Sequence, residues 1–550
     1  MTQYLTTAIA DSLRANWHTP ILSDFQGASL TGSDVAERIE KIHIILKETG
    51  ITPGDKIALC ARNSSSWATA FLGALTYGAV VVPLLHEFHP ENVEYLVSHS
   101  EARLLFTEKS IFDQLDETRL GDVLGAVLIP EMTIAFSRSK ALTKAIEQTD
   151  TLFAKKYPDG GFTQKDVDYP QMPLDRLALI NYTSGSTGNS KGVMLSYGNL
   201  WSNVSFGLKK IDFLHKGDGM LSMLPLAHMY GLVFEFLFPL CKGCHITFLG
   251  RVPSPKVVLS AFAQVRPKLV ITVPLVIEKI VKGNVFPKLR KPLMKFLLAI
   301  PGVRDIIYAK VRKQLLAAFG GQLRQLILGG AAVSSEVEEF LRKIRFPFTV
   351  GYGMTECAPL VTYEWWETQR PHSCGRLVDG MNARVASPDP ARIPGVLHVK
   401  GANVMKGYYK NPKATAEAID KEGWLDTGDI CTIDKDGYVY LRGRNKNMIL
   451  SSSGQNVYPE EIEIKLNNLP LVAESVVVDR DGRIVALVHP DYDSGRKLGM
   501  TEETIEKRVK ENLPELNRQL PAYSRVNSIE IQKEAFEKTP KQSIRRFLYK

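Results

Sequence analysis

The chain has 550 residues, 44% of them apolar and 23% charged, with a formal net charge of +9 at pH 7. That length and balance predict a soluble globular protein of more than one domain. Six cysteines spread over so long a chain exclude a disulfide-stapled fold and fit a reducing cytoplasm. No N-terminal stretch joins a basic start to an apolar run, so no signal peptide is expected. The longest apolar stretch, residues 70–85, is interrupted by Gly73, Thr76, Gly78 and Pro83, and reads as a buried helix, a turn and a strand rather than a membrane span.

Residues 1 to about 125 alternate helical and strand patterns, for example 35–47 followed by 56–60. Residues 131–173 are more polar, include the turn-rich 155–161, and read as an excursion or loop insertion. The apolar run 177–180 then reads as a strand leading into Tyr182-Thr183-Ser184-Gly185-Ser186-Thr187-Gly188-Asn189-Ser190-Lys191-Gly192. Here glycines let backbone N–H groups converge on phosphate oxygens, hydroxyls donate further bonds, and lysine brings charge. It differs from the common GxxxxGK[ST] loop because Gly192 follows Lys191.

From 177 to about 360, apolar runs at 220–224, 244–249, 269–273 and 326–328 alternate with helical patterns, which predicts parallel sheets covered by helices. Cys241-Lys242-Gly243-Cys244 lacks a second pair and reads as a turn between helix and strand. Residues 279–324 carry eleven lysines and arginines against one acid, Asp305, with apolar pairs interleaved. That composition suits an anionic membrane surface or a phosphate-rich ligand, the plain alternative being a solvated helical face. Aromatic stacking residues are sparse there, so nucleic acid is not expected as a partner.

Gly329-Gly330-Ala331-Ala332 follows a strand-like run and leaves room for a ligand to approach the backbone. Gly351-Tyr352-Gly353-Met354-Thr355-Glu356 places an aromatic where it can lie against a purine, and a Thr-Glu pair that can reach a phosphate and its magnesium. After about 370, glycines and short strands at 395–400 and 437–442 predict a small β-rich subdomain. Trp424-Leu425-Asp426-Thr427-Gly428-Asp429 offers a carboxylate, Asp429, able to hold both ribose hydroxyls. A boundary is expected at Gly443-Arg444-Asn445-Lys446, dividing 1–442 from 443–550. The second part has its own α/β pattern at 460–467, 472–478, 484–488, 501–516 and 527–531.

In their order and spacing these segments resemble those of adenylate-forming enzymes of the acyl-CoA synthetase and firefly-luciferase superfamily, over nearly the whole chain. The resemblance implies an α/β fold: a large N-terminal domain of helix-covered sheets with a small β-rich subdomain, then a small mobile C-terminal α/β domain. It also implies ATP, Mg2+ and coenzyme A as cofactors, with a carboxylate attacking ATP to give an acyl-adenylate and a thiol then displacing AMP. By motif, Thr183, Ser184, Gly185, Ser186, Thr187, Gly188 and Lys191 would hold the phosphates. Gly330, Ala331, Gly351, Tyr352 and Gly353 would hold the base side of the nucleotide, with Thr355 on the α-phosphate. Thr187 and Glu356 would serve the metal, Asp429 and Arg444 the ribose, and Lys446 the hinge. Lysine at the hinge resembles long-chain fatty acyl-CoA synthetases.

The tail departs from the family. Where its motif ends in Gly-Lys, this chain has Gln542-Ser543, which leaves Lys541 or Arg545 to supply the missing charge. Leu224-Pro225-Leu226-Ala227-His228-Met229-Tyr230-Gly231 resembles the acyl-site motif, with His228 beside the reacting carboxylate. The apolar runs 232–234, 236–238 and 273–280 resemble tunnel walls, or are core. The expected activity is that of a long-chain fatty acid–CoA ligase, cytoplasmic or peripheral on the inner membrane face. The alternatives are an acyl-acyl carrier protein synthetase and an adenylation-deficient nucleotide or acyl binder.

Overall fold

Short β-branched runs that alternate with amphipathic helices can bury both faces of a parallel sheet, and the first half of the chain does this. The computed structural model describes residues 4–158, 161–183, 190–251, 253–450, 455–538 and 544–549. Its largest sheet has eight strands. Leu177–Thr183, Val80–Leu84, Lys56–Cys60, Ala102–Thr107 and Gly125–Leu128 run parallel through its middle. Lys191–Ser196 and Gly407–Tyr408 close one edge antiparallel, and Thr133–Ser137 closes the other. The run 70–85 forms the buried helix Ser65–Tyr77, a left-handed Gly78 and the strand Val80–Leu84. Trp67 of that helix, fully buried, stacks on Phe71 at 5.3 Å and meets Phe236 edge-on.

Two smaller sheets complete the parallel framework. Gly219–Ser222, His245–Phe248 and Pro20–Asp24 run parallel, with Ser29–Thr31 antiparallel at the edge. Leu269–Thr272, Gln325–Leu328 and Phe348–Val350 form a three-stranded parallel sheet. Cys241 and Cys244 do flank a turn, at left-handed Gly243 between the helix Phe238–Lys242 and a strand. A four-stranded antiparallel sheet, Met381–Ala386, Gly395–Gly401, Leu425–Ile433 and Val439–Arg444, is the β-rich part. The C-terminal unit packs the helix Pro459–Leu466 on the sheet of Val472–Arg480, Arg483–Pro490 and Ser528–Ile531, around Ile462, Leu466, Val477, Ala486 and Val488.

One sequence expectation needs correction. Residues 131–173 are not a plain loop insertion. They supply the edge strand Thr133–Ser137 and the helices Lys140–Glu147 and Thr149–Lys156, which pack on the helix Gly32–Glu48. Leu142 and Ala145, three apart, are the buried pair that holds the first of these. The pattern at 501–516 is two helices, Glu502–Lys510 and Leu513–Arg518, because Pro514 supplies no N–H to continue the first.

His43 provides a pH test of this core. Its Nε2 lies 3.0 Å from Thr76 Oγ1, and the rings of Tyr77 and Tyr169 flank it. Burial lowers the imidazole pKa to about 4. The folded value is below the unfolded value, so the unfolded chain takes up the proton first. Stability is therefore present above the unfolded pKa of about 6.5 and lost as pH falls toward 4, by about 3 kcal/mol at most. Denaturant titrations at pH 7 and near pH 4 should show this loss, and His43→Gln should remove most of it.

Candidate functional site

Ligands of parallel sheets bind beyond the carboxyl ends of the strands, where loops leave in different directions. The three-stranded parallel sheet delivers Val273, the segment Gly329–Gly330–Ala331, and Gly351 to such an edge, and all of them line one cleft of about 3520 Å³. Gly330 has φ +81° and is exposed, with its backbone open to the cleft. Gly329 is tight instead, since a Cβ there would meet the Tyr230 ring at 3.0 Å.

The expected phosphate segment begins and ends in register. Thr183 pairs with Lys191 across the antiparallel strands, and the Thr183 hydroxyl lies 3.4 Å from the Lys191 carbonyl oxygen. Ser184, Gly185, Ser186, Thr187 and Gly188 lie outside the described residues. Thr183, Ser190 and Lys191 line the cleft, with the Lys191 ammonium 4.8 Å from the centre of the Tyr408 ring. The Tyr408 hydroxyl donates to Glu356 Oε1 at 3.0 Å. Lysine, tyrosine and glutamate thus form a chain from Lys191 to the Thr-Glu pair.

That pair sits on the single 3-10 turn Thr355–Cys357, half-buried in the cleft wall. So short a turn needs outside support. Asn203, buried on the helix Tyr197–Lys210, donates to the Cys357 carbonyl and accepts from the Leu360 N–H. The Met405 N–H donates to the Glu356 carbonyl at 2.8 Å. Among the described residues no group of three or more His, Cys, Asp and Glu gathers for a metal ion. One carboxylate is nonetheless what Mg2+ bound to substrate phosphates requires. Glu356 gives up one of its acceptor positions to Tyr408, and a carboxylate has about four.

The third cluster joins two distant motifs. The Tyr352 hydroxyl donates to Asp429 Oδ2 at 2.6 Å, and Arg444 Nε lies 3.0 Å from Asp429 Oδ1. Asp429 and Arg444 are register partners on adjacent antiparallel strands, which explains how residues fifteen apart meet. Burial pushes the Asp429 carboxyl up, against the opposing pull of Arg444 and Tyr352. Burial, then the adjacent Asp429 charge, pushes the Tyr352 phenol well above its usual value.

Gly353 has a packing reason that its motif does not reveal. A Cβ there would lie 2.2 Å from the Pro359 carbonyl oxygen, just before the strand Leu360–Tyr363 that pairs with Tyr352–Gly353. Gly353→Ala should therefore destabilise the fold by about 2 kcal/mol or more, read as a lower melting temperature with or without nucleotide.

His228 closes the loop that follows the strand Gly219–Ser222, and it lines the cleft. Three side chains absent from the motif reading hold that loop. Asn63 donates to the Leu224 carbonyl at 2.7 Å and accepts from the Leu226 N–H at 3.0 Å. Asn181 donates to the Ala227 carbonyl. Glu235 Oε2 accepts from the N–H groups of Met223 and Leu224 and from the Ser222 hydroxyl. Burial still raises the Glu235 carboxyl well above its ordinary range, despite those donors. The signal in the sequence was one acid inside the apolar run 232–238.

The apolar walls divide. Among the described residues, Val273, Pro274, Leu275, Val276 and Ile280 line the cleft, joined by Leu289, Leu315 and Phe319. The run 232–238 is core: Phe236 and Phe238 are fully buried and packed among aromatic rings. Of the two readings left open for 232–234 and 236–238, tunnel wall or core, the core reading holds, because the 232–237 helix turns those side chains into the main core.

The C-terminal unit forms the remaining wall. Lys446, on the 3-10 turn Asn445–Asn447, lines the cleft together with Glu460, Lys465, Arg545 and Arg546. Ser334 donates to Asn468 Oδ1 across the two units at 2.5 Å. Arg546 pairs with the buried Glu463 at 2.7 Å, and Arg545 lies 3.6 Å from Glu537. Lys541 and Ser543 lie outside the described residues.

A sequence model described as AMP-binding enzyme matches residues 10–409, and one described as AMP-binding enzyme C-terminal domain matches residues 446–549. The chain is 28% identical over 498 residues to a long-chain-fatty-acid–CoA ligase FadD15 of Mycobacterium bovis, covering 86% of this chain and 79% of that protein. It is 29% identical over 460 residues to a feruloyl-CoA synthase of an Amycolatopsis species, covering 82% and 81%. An ATP-bound MatB from Rhodopseudomonas palustris has the same fold, with a TM-score of 0.77 at 24% identity over 100% of this chain and 98% of that one.

Proposed function

This chain belongs to the AMP-binding enzyme family, and from that premise we propose that it is an AMP-forming long-chain fatty acid–CoA ligase using ATP, Mg2+ and coenzyme A. The observation that carries the reading is convergence. Thr183, Lys191, His228, Gly330, Ala331, Gly351, Tyr352, Gly353, Thr355, Glu356, Asp429, Arg444 and Lys446 all line one cleft. An apolar arm, from Val273 to Ile280 and on to Leu315 and Phe319, continues from it and supports a long acyl chain over a small acid.

In the first step a carboxylate oxygen of the acid attacks the α-phosphorus of ATP. The bond to the bridging oxygen breaks, leaving acyl-adenylate and pyrophosphate. Such chemistry needs positioning and charge neutralisation more than a protein nucleophile. Lys191, with Thr183 beside it, neutralises the leaving phosphates, and Thr355 orients the α-phosphate. Glu356, steadied by Tyr408, holds Mg2+, which supplies countercharge to the phosphates when bound. Asp429 and Arg444 hold the ribose, and Tyr352 fixes Asp429 beside the base. His228 orients the acid carboxylate. In the second step the thiol of coenzyme A attacks the acyl carbonyl and AMP leaves.

The division at 442/443 and a rotation about Lys446 between the two steps belong to the same proposal. So does Lys541 as the source of the charge that Ser543 lacks. No helix among the described residues is long and apolar enough to cross a membrane; contact with a membrane surface through 279–324 is a proposal about where the acid is collected.

ATP–pyrophosphate exchange with acids from acetate to oleate tests the reading. Exchange should rise with chain length, and none for any acid would overturn it. Coenzyme A should then outperform holo-carrier protein as acceptor; the reverse order would make the enzyme an acyl-carrier-protein synthetase.

A further inference from the structure

The edge strand Gly407–Tyr408 is two residues long and pairs on one side only, with the strand Lys191–Ser196. So short a strand does not hold itself in place. Yet it carries Tyr408, whose hydroxyl donates to Glu356 Oε1 and whose ring lies under the Lys191 ammonium. Successive side chains of an extended segment point to opposite faces. Tyr408 accordingly lines the cleft and packs in the main core, while Tyr409 packs with Tyr182 in the second core, on the other face of the eight-stranded sheet. A grip on Tyr409 at that far face therefore fixes Tyr408 at the near one.

Such a grip is present. The Tyr409 hydroxyl donates to Glu101 Oε2 at 2.7 Å, and the Lys56 ammonium lies 3.0 Å from the same oxygen. Lys410, at a left-handed φ of +54°, brings its ammonium to 2.9 Å from Glu101 Oε1 and donates to the His99 carbonyl at 3.0 Å. Lys410, the Tyr409 hydroxyl and Lys56 hold the Glu101 carboxyl down at about 2, so it stays charged at any working pH. Glu101 is itself the left-handed end of the helix Pro90–Ser100. Two residues earlier, His99 Nδ1 lies 2.7 Å from the Tyr182 hydroxyl. The Tyr182 ring packs on its register partner Gly192, whose carbonyl accepts from the Tyr409 N–H at 2.7 Å. One helix end thus supports Tyr409 and the pair next to Thr183 and Lys191 from behind.

None of His99, Glu101, Tyr182 and Tyr409 lines the cleft, so whatever they do to a nucleotide passes through their neighbours. An ordinary surface ion-pair cluster contributes little. This one differs because it is fastened to the residue beside Tyr408. We propose that Glu101, acting through Tyr409, is a positioning residue for the phosphate and magnesium end of the site. It fixes the edge strand so that Tyr408 holds Glu356 and Lys191 in place. The inference rests on the nucleotide site proposed above and adds to it a support on the opposite face of the sheet.

The test compares Tyr409→Phe and Glu101→Gln in the full chain with Tyr408→Phe. By titration calorimetry without acid, each should weaken MgATP binding about threefold to fivefold, the scale of loosening one hydrogen bond to a charged group. In exchange assays each should raise the Mg2+ needed for half the maximal rate by about fivefold, and leave the KM for the acid within about 1.5-fold. The melting temperature should stay within about 2 °C, because exposed ion pairs contribute little. The double variant separates positioning from a general loss of structure. Tyr408→Phe already frees the Glu356 carboxylate, so adding Tyr409→Phe should cost no more than about 1.5-fold, whereas independent sites multiply their losses. Multiplied losses, an unchanged MgATP affinity in both single variants, or an equal rise in the KM for the acid would overturn the positioning. A parent chain that binds MgATP yet exchanges with no acid would overturn the ligase reading instead, and calorimetry would still decide the positioning. A parent chain that binds no MgATP would overturn both.

Discussion

Glu356→Gln should lower ATP–pyrophosphate exchange by about 10² to 10³, the scale of removing one preorganised group that stabilises transition-state charge. The substitution keeps the shape and the acceptor for the Tyr408 hydroxyl, which donates to Oε1 at 3.0 Å. It removes the charge that a magnesium ion among phosphates needs. Raising Mg2+ should restore part of the rate, whereas the melting temperature should stay close to that of the parent chain. Tyr408→Phe is the matched control. It leaves the carboxylate charged but loosens it, so a loss of about tenfold is expected. Exchange within twofold of the parent in Glu356→Gln would remove Glu356 from the metal site.

Asp429→Asn should raise the KM for MgATP by about 30-fold, with a smaller effect on the acid. Hydrogen bonds to a charged acceptor contribute about 1.5–3 kcal/mol, and about 2 kcal/mol corresponds to 30-fold. The carboxylate is 5% exposed and fixed between the Tyr352 hydroxyl and Arg444 Nε, so little of its orientation is left to chance. Removing its charge relieves a buried group, and the half-exposed Arg444 can turn to water. Stability should therefore change less than affinity. A KM within threefold of the parent would take the ribose role away from Asp429.

The motifs were legible because a phosphate cradle, a tight glycine corner and a lone carboxylate need particular residue types at short spacing. Thr183, Lys191, Gly330, Tyr352, Glu356 and Asp429 could be singled out on those grounds together with the family resemblance, and all of them line one cleft. The supports were not. Asn63, Asn181, Asn203 and Tyr408 act on segments 46 to 163 residues away, and nothing in their own neighbourhoods distinguishes them from surface polar residues. The run 232–238 stayed open between cavity wall and core for a related reason. A helix that is apolar all round reads the same whether it walls a cavity or fills a core, and only its neighbours decide. Glycine at 353 reads from its motif as part of the base side of the nucleotide site, while the contact that forbids a side chain is the Pro359 carbonyl.

By itself the sequence determined the class of fold, the ATP-directed motifs and their order, since each rests on local patterning and on groups adjacent in the chain. The tertiary structure alone decided that Asp429 meets both Arg444 and Tyr352, that Lys191 reaches Glu356 through Tyr408, and which apolar residues wall the cleft. It also decided that Leu293, Phe296 and Ile306 face outward. Strand register and helix docking bring distant groups to within 3 Å or leave them exposed, and spacing along the chain carries no record of either.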